Sequence, residues 1–433
     1  MNGNRTRLFD VAVIGAGMAG MATSLFAARR DLSCVQVGNG GGILFASGLL
    51  DLLGVHPVAD RRRWDCPFEA LSSLRRDLPD HPLARVGDDA LRAAFEAFVS
   101  ELGAVGLPYA PLDGANHPVL TSIGTVKTTY AVPRSMMAGV EMMRSRPSCL
   151  LVDFRGLREF SARQVVAKIG ADWPGLHSVR VEFPGFEAVS ELYAAHLARA
   201  IESAATRDSV AERVRPLLGD ATAVGFPAVL GLSRSGEVHE RLQQSLGLPV
   251  FEIPTMPTSV PGLRLKDAME AALAAWRVVR HVQAKVTKVS FDDDVATLSL
   301  DDVPGGQTIR ARSVVLATGR FTGGGLSAGR GHVSERVLDL PVHQPGTRGE
   351  WHRRDFLDPA GHPVNRAGLA TDGDFRPLSA DGRPAWHRLF ATGSILAHQD
   401  WMREKCGSGL AIGTAWTAVE AISRGLQAPR KAG

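Results

Sequence analysis

The chain has 433 residues, 45% of them hydrophobic and 22% charged, and its formal net charge is +4 at pH 7. This length exceeds the size at which a single hydrophobic core usually stops growing, so we expect two domains. So small a charge on so long a chain indicates no nucleic-acid partner, and no apolar run in the sequence is long enough to span a bilayer.

The cysteines indicate a reducing environment and no metal. Cys34, Cys66, Cys149 and Cys406 are scattered, without the spacing of a metal-binding or redox motif. Because the iron–sulfur run C-x-x-C-x-x-C is missing, we expect no cluster and no other metal site in this chain. Residues 1–10 lack the apolar core of a signal peptide, and we therefore expect a cytoplasmic protein.

The first elements have the order of a doubly wound α/β fold. Phe9–Ile14 is an apolar strand that ends at glycines, and Met18–Arg30 is a helix rich in Ala, Met and Leu. A second short strand, Ser33–Val37, follows. This β–turn–α–β order predicts a Rossmann-like nucleotide-binding domain.

Residues 61–264 have a different pattern. Amphipathic helical stretches, such as Asp89–Leu102 and Ser190–Ala205, alternate with Pro-rich turns, and no second glycine fingerprint is present. We interpret this segment as an α+β cap or substrate domain. We expect it to be inserted into a discontinuous nucleotide-binding domain of residues 1–60 and 265–433.

The rest of the chain returns to strands. A loop-dominated segment covers residues 323–384, and a helix is predicted from about Gly409 to Gly425. The predicted strands are Ala284–Phe291, Val295–Leu300, Arg312–Thr318 and Leu389–Thr392.

The strongest motif is a G-x-G-x-x-G at Gly15–Gly20, between the first strand and the first helix. Gly15 permits a tight turn, Gly17 lets the backbone approach a pyrophosphate, and Gly20 lets helix and strand pack closely. The start of the helix then offers free N–H groups to an anion.

An acidic residue that would hold an adenosine ribose is missing after the second strand, where Asn39 stands instead. This weakens an NAD interpretation. Further glycines and small residues after that strand would suit the edge of a flavin ring, although a loop closing against a helix is the alternative. The candidates are Asn39, Gly41, Ala46, Ser47 and Gly48.

Two later strands end in Ala-Thr-Gly, and a glycine-led helix start follows the second of them. Such turns pack beside the cofactor in related flavoproteins, and the helix start aims N–H groups at a phosphate or at the flavin. The cofactor-binding candidates here are Thr318, Gly319, Gly393, Ser394, Gly407 and Gly409.

The order of these blocks resembles the B subunit of the bacterial anaerobic glycerol-3-phosphate dehydrogenase, over essentially the whole chain. The block Thr347–Trp351 is the most specific. The sequence departs from the family pattern at 397–406, which is more charged here. The other matching blocks are Ala46–Leu53, Pro254–Leu265, Val315–Phe321 and Gly323–Leu326.

That resemblance implies oxidation of sn-glycerol 3-phosphate to dihydroxyacetone phosphate, with electrons passed towards a quinone (glycerol-3-phosphate dehydrogenase (quinone), EC 1.1.5.3). It also implies FMN as the cofactor, with FAD as the alternative. The implied partners are a sister flavoprotein, which is the A subunit, and an iron–sulfur membrane protein, which is the C subunit. These partners would place the chain at the inner membrane.

Such a reaction needs a base for the hydroxyl proton and cations for the phosphate. Arg348 is the first candidate for binding the phosphate and is also counted among the catalytic residues. Arg264 and Arg320 are the next candidates for the phosphate. For each of the three, the alternative is a structural salt bridge, such as Arg348–Glu350. Imidazole titrates near neutral pH, so histidines are the base candidates. These are His343, His352 and His398.

Two other functions remain open at this point. One is a different FAD-dependent oxidoreductase on the same scaffold, of the fumarate-reductase or ketosteroid-dehydrogenase type. The other is an accessory flavin-binding subunit without an active site of its own. Two or more arginines around a small anion pocket would favour glycerol 3-phosphate, whereas a wide apolar pocket would favour the first alternative.

Overall fold

A computed structural model describes residues 7–301 and 307–427. The helices are α1 Met18–Ala28, α2 Pro67–Asp77, α3 Asp88–Ala104, α4 Arg134–Ser145, α5 Ala162–Ile169, α6 Ala194–Ala200, α7 Ala204–Val214, α8 Ser235–Leu246, α9 Val260–Ala275, α10 Trp401–Glu404 and α11 Gly407–Gln427. The strands are β1 Leu8–Ile14, β2 Cys34–Gly38, β3 His117–Leu120, β4 Val126–Thr129, β5 Cys149–Phe154, β6 Leu176–Val181, β7 Ala223–Pro227, β8 Val250–Ile253, β9 Val279–Val282, β10 Val286–Asp292, β11 Val295–Leu300, β12 Gln307–Leu316, β13 Leu326–Ala328, β14 Val333–Glu335, β15 Val342–His343, β16 Gly368–Leu369 and β17 Leu389–Ala391.

The chain forms two compact units. Among the described residues, the first unit comprises 7–42, 51–98 and 270–427, and the second comprises 43–50 and 99–269. The first unit contains a seven-stranded sheet in the order β10-β11-β12-β1-β2-β9, with β17 paired to β12.

The centre of this sheet is the parallel trio β12-β1-β2. Ala12 of β1 lies opposite Val314 on one side and Val35 on the other. Val11–Ile14 of β1 form a buried apolar run, as expected for a central parallel strand whose two faces are covered by helices. Helix α1 packs against α11, where the rings of Phe26 and Trp416 meet edge to face at 5.1 Å.

The second unit has a four-stranded parallel sheet of its own, in the order β6-β5-β7-β8. Every residue of β5 is buried, and its core includes Phe154 stacked on Phe226 and edge to face with Phe183. Helices alternate with these strands along the chain, as parallel crossovers require.

The structure confirms the predicted α/β fold class, the opening β1-α1-β2 unit and the strands of the last third of the chain. The single helix predicted over Ser190–Ala205 is wrong. The chain turns after Ala200, and Ser203 adopts an extended backbone before α7 begins, as the residue before a helix does.

Residues 1–6, which belong to the N-terminal segment 1–10, lie outside the described part of the chain. In the described ranges, no helix combines the length and the apolarity needed to cross a membrane.

Candidate functional site

Each glycine of the β1–α1 turn is required, or tolerated, for a different structural reason. Gly15 has φ +121°, and a Cβ added there would overlap the carbonyl oxygen of Ala317 at the end of β12. A Cβ at Gly20 would overlap the carbonyl oxygen of Gly15. Gly17, in contrast, has no atom within 4 Å of its Cβ position. Two of the glycines therefore permit close packing, while the third borders open space.

That open space lies at the start of α1. Gly17 precedes the helix with an extended backbone, and no side chain caps the first turn. The unpaired N–H groups and the positive end of the helix dipole therefore face the space above Gly17. This arrangement fits the phosphate of a flavin nucleotide.

Two of the later glycine turns meet the same helix start. A Cβ at Gly393 would lie 2.5 Å from the Cβ of Ala19, and one at Gly319 would lie 3.8 Å from the Oγ of Ser394. The Oγ1 of Thr318 is buried and has no hydrogen-bond partner among the described residues. The structure thus brings four predicted cofactor residues, Thr318, Gly319, Gly393 and Ser394, to the β1–α1 turn.

Gly407 and Gly409 at the start of α11 are explained by packing. A Cβ at Gly409 would lie 2.5 Å from the carbonyl oxygen of Leu52, and the Gly409 N–H donates to the Asp51 carbonyl at 2.6 Å. A Cβ at Gly407 would lie 3.0 Å from the Trp401 ring. Their role in binding a cofactor stays a prediction.

The small residues after β2 are divided between the units. Asn39 is exposed directly after β2, in the position where an acid was missing, and Gly41 opens a short 3₁₀ helix, Gly41–Phe45. Ala46, Ser47 and Gly48 belong to the second unit. There the Gly48 carbonyl accepts a 2.6 Å hydrogen bond from the Tyr109 hydroxyl.

Two of the three predicted histidines lie together. The rings of His343 and His398 have centroids 4.1 Å apart. They approach because His343 pairs with Gly368 between β15 and β16, while the His398 N–H donates to the Arg366 carbonyl at 2.9 Å. Burial, and secondarily the charge of His343, lowers the pKa of His398. His352 is exposed and packs instead against His362, with ring centroids 5.2 Å apart.

Arg264 lies in the second unit and is not available to a substrate. Its side chain is 3% exposed and donates to both carboxylate oxygens of Glu252, at 2.6 and 2.9 Å, and to the Gly231 carbonyl. Burial acts to raise the pKa of Glu252, but the Arg264 guanidinium, Ser135 and a backbone N–H together hold it below its ordinary value. The substrate role predicted for Arg264 is therefore corrected to a structural ion pair.

Arg320 also has a structural role. Its two terminal nitrogens donate to the carbonyls of Val364 and Asn365 in the 3₁₀ helix Pro363–Arg366. Arg348 is exposed; it donates to the Gly329 carbonyl at 3.0 Å and lies over the Trp351 ring. The Arg348–Glu350 salt bridge weighed as an alternative is not formed, since Glu350 accepts from the Thr347 N–H instead.

The first unit contains a pocket of about 590 Å³ beside His343. Sequence reasoning missed its two arginines, Arg353 and Arg366, and two further lining histidines, His56 and His362. The only signal for Arg353, Arg366 and His362 was the general richness of residues 323–384 in Gly, Pro, Arg and His, which does not single out any of them. His56 lies outside that segment and had no signal.

His362 shapes this pocket and is not a base. Its Nδ1 accepts from the Arg353 N–H at 3.1 Å, and its Nε2 lies 3.0 Å from the Phe356 carbonyl, to which it donates. Both ring nitrogens are therefore used to hold the 353–362 loop. A Cβ at Gly361 would lie 2.7 Å from the Oδ2 of Asp400, so the loop also needs a glycine at that position.

A buried group of His81, Glu404 and Cys406 lies at the wall of the pocket, with ligand-type atoms within 4.8 Å of one another. The His81 Nδ1 accepts the Leu83 N–H at 3.1 Å, so the neutral ring carries its proton on Nε2 and donates to Glu404 at 3.1 Å. A metal on Nε2 would place that proton on Nδ1, facing the Leu83 N–H. The geometry favours a hydrogen-bonded cluster over a metal site.

The chain is similar in sequence to a family of flavoproteins. The model of the FAD binding domain family matches residues 10–410. The B subunit of the anaerobic glycerol-3-phosphate dehydrogenase of Vibrio cholerae serotype O1 is 30% identical over 429 residues, 96% of each chain. The probable B subunit of the same enzyme of Halobacterium salinarum is 32% identical, over 96% of this chain and 98% of its own.

Solved structures are more distant. A 3-ketosteroid delta1-dehydrogenase from Sterolibacterium denitrificans has a TM-score of 0.43 and 12% identity, covering 97% of this chain and 100% of its own. A flavocytochrome c3 fumarate reductase in an open conformation has a TM-score of 0.41 and 11% identity, covering 98% of this chain and 80% of its own. At these TM-scores the likenesses support no inference about function.

Proposed function

Because the chain belongs to the FAD binding domain family and, within it, to the B-subunit family of anaerobic glycerol-3-phosphate dehydrogenases, we propose that it oxidises sn-glycerol 3-phosphate to dihydroxyacetone phosphate. It does so with a bound flavin, as one component of a quinone-linked complex. The observation that carries this proposal is the full-length similarity to proteins named as the B subunit of that enzyme.

A bound flavin supplies the hydride acceptor for oxidation of a secondary alcohol. The protein must then provide a base for the hydroxyl proton, and the His343–His398 pair is the proposed base. The lowered pKa of His398 keeps its imidazole neutral near pH 7, in the form that accepts a proton. The two rings are tilted by 42° with centroids 4.1 Å apart, which allows one imidazole to position the other.

FMN is the proposed flavin, although the name of the matched family points to FAD. The uncapped start of α1 fits the phosphate of either nucleotide. The position after β2 distinguishes them, because Asn39 lacks the carboxylate that would hold an adenosine ribose. Without that contact, the adenosine half of FAD loses its usual charge-assisted hydrogen bond.

The complex is proposed to include a sister flavoprotein, the A subunit, and an iron–sulfur membrane protein, the C subunit. The sequence has no cysteine run for a cluster of its own, so electrons leaving the flavin need another chain to reach a quinone. Through these partners the chain would lie on the cytoplasmic side of the inner membrane.

Anaerobic titration of the purified flavin-loaded chain with sn-glycerol 3-phosphate tests the proposal. We expect the visible flavin absorption to bleach, and we expect glycerol, which lacks the phosphate, to leave it unchanged. The same measurement with His398→Gln should show bleaching slowed by at least about 100-fold, the contribution of a positioned general base.

The alternative of an accessory role without chemistry is separated from the proposal in the assembled complex. His343→Gln and His398→Gln, introduced into this chain alone, should each lower turnover of the whole complex. If turnover is unchanged in both variants while flavin content is normal, the sister flavoprotein performs the chemistry and the proposal is wrong.

A further inference from the structure

The geometry points to the pocket beside His343 as the binding site for the phosphate of a small phosphate monoester, with Arg366 as its anchor and Arg353 as the second cation. The inference rests on the proposed function for the identity of the substrate. The binding of phosphate itself is independent of it. Neither arginine was among the residues expected from the sequence.

Arg366 has a guanidinium that the protein leaves available. It lines the pocket and is half-buried, yet within residues 7–301 and 307–427 no hydrogen bond engages its side chain. Its carbonyl, by contrast, accepts the His398 N–H at 2.9 Å. A half-buried guanidinium without a bidentate partner suits a phosphate group, whose geometry matches its planar fork.

The backbone of Arg366 is held from two sides. Arg320 donates to the carbonyls of the two preceding residues, Val364 and Asn365. The side-chain amide of Asn365 in turn donates to the Asp400 carboxylate at 3.0 Å, which fixes the residue before Arg366. Arg320 is thus a positioning residue: it holds the backbone immediately before Arg366 and thereby positions the Arg366 guanidinium.

Arg353 supplies the second cation. Its Nε donates to the Gly361 carbonyl at 3.0 Å, and Asp358 lies 3.9 Å from the same nitrogen. Its terminal nitrogens make no hydrogen bond among the described residues, and half of its side chain is exposed. Since Nε alone is committed, the outer edge of the guanidinium remains for a ligand.

The acidic groups at the pocket wall already have donors. Glu404 accepts at Oε2 from His81 and from the Asp400 N–H, whereas its buried Oε1 has no partner among the described residues; Asp77 accepts from His56 and Ser73. The charge of Arg366 acts on Glu404, and Asp358 lies 3.9 Å from the Nε of Arg353. Among the described residues, however, no carboxylate is hydrogen-bonded to either guanidinium, so both can still pair with an anion.

The position of the pocket relates the phosphate to the proposed base. His343 also lines it, and β15 pairs with β16 two residues beyond Arg366. A volume of about 590 Å³ accommodates a small polyol phosphate with water to spare. A substrate anchored on Arg366 therefore lies beside His343, the member of the imidazole pair that lines the pocket.

Calorimetric titration of the full flavin-loaded chain with inorganic phosphate and with sn-glycerol 3-phosphate tests the assignment. Arg366→Met should weaken both affinities by roughly 10- to 100-fold, the effect of losing one charge-assisted partner. Arg353→Met should weaken them less. Arg424→Met, which removes an exposed arginine paired with Asp374, is the matched control and should leave both unchanged.

The outcomes separate this inference from the proposed function. Phosphate binding that is lost in Arg366→Met, together with no flavin bleaching in the wild type, would keep the phosphate site and overturn the reaction. Normal bleaching with unchanged phosphate affinity in both Arg366→Met and Arg353→Met would keep the reaction and overturn this site. Should Arg366→Met not fold, Arg366→Lys, which keeps the charge and loses the fork, should still weaken binding.

Discussion

The glycines of the β1–α1 turn provide a matched set of variants at the scale of single residues. Gly20→Ala should destabilise the protein by about 1–3 kcal/mol, because the added methyl group overlaps a backbone oxygen. Gly17→Val should leave the melting temperature of the flavin-free protein nearly unchanged and abolish flavin retention, since its side chain enters only the open space at the start of α1.

Thermal unfolding and flavin absorbance after gel filtration measure the two effects. Gly236→Val in α8 is the control, because its Cβ also has no neighbour within 4 Å but lies in the second unit. It should keep both stability and flavin. A yellow Gly17→Val protein would refute the phosphate site at α1.

The pH dependence of kcat/KM tests the histidine pair. Burial and then His343 lower the pKa of His398 from 6.5; Asp80 opposes the shift, while Arg85 and His81 add to it. The neutral base is lost only when pH falls through this lowered pKa, so the acidic limb of the wild type should lie below pH 6.5. In His343→Gln the limb should move up towards 6.5, because one repelling charge is gone.

The limb is read from initial rates of glycerol 3-phosphate oxidation across the acidic range. A wild-type limb above 6.5, or a limb that His343→Gln does not move, would contradict this role for the pair.

At the scale of elements, the second unit depends on one buried ion pair between α9 and β8. Arg264→Leu leaves the Glu252 carboxylate buried without its partner, which should cost about 3–5 kcal/mol of unfolding free energy. The exposed pair Arg158–Glu191 is the matched control, and Arg158→Leu should cost less than about 1 kcal/mol.

Denaturant unfolding followed by the fluorescence of Trp173, which is buried in the core of the second unit, measures both variants. The double variant Arg264→Leu/Glu252→Leu should recover much of the loss, since it removes the uncompensated charge. Equal effects of Arg264→Leu and the control would mean that the pair does not stabilise the unit.

The same ion pair shows why a site could be predicted only in part from sequence. The residue types expected for an anion site, Arg and His, are also those that line the proposed phosphate pocket. Whether an arginine is available to a ligand depends on its partners in the folded chain. Arg264 is paired with the Glu252 side chain, and Arg320 donates to the backbone carbonyl of Val364. No periodicity or spacing reports such pairings.

Very short secondary-structure elements could not be predicted from the sequence either. The strands β15 and β16 have two residues each, too few for an alternating pattern, yet their pairing brings His343 to Gly368. A Cβ at Gly368 would lie 2.5 Å from the Ile395 carbonyl, so the segment that carries His398 also depends on this contact. The sequence predicts only a loop-dominated segment over 323–384, although this segment contributes much of the lining of the pocket.

At the scale of the whole molecule, the sequence predicted what long apolar runs and glycine turns can encode. The parallel trio β12-β1-β2, the fingerprint between β1 and α1 and the C-terminal helix α11 all follow from such signals. The four-stranded parallel sheet of the second unit and the pocket beside His343 in the first do not, since they arise from tertiary contacts.

Heating the purified protein to release its bound cofactor, followed by chromatography, shows directly which flavin the chain binds. We expect a yellow protein that releases FMN, because the helix start at α1 would receive its phosphate and Asn39 stands where an acid would hold an adenosine ribose. Released FAD would overturn the choice of nucleotide. A colourless protein that takes up neither flavin would refute both the flavin site at α1 and the proposed oxidation.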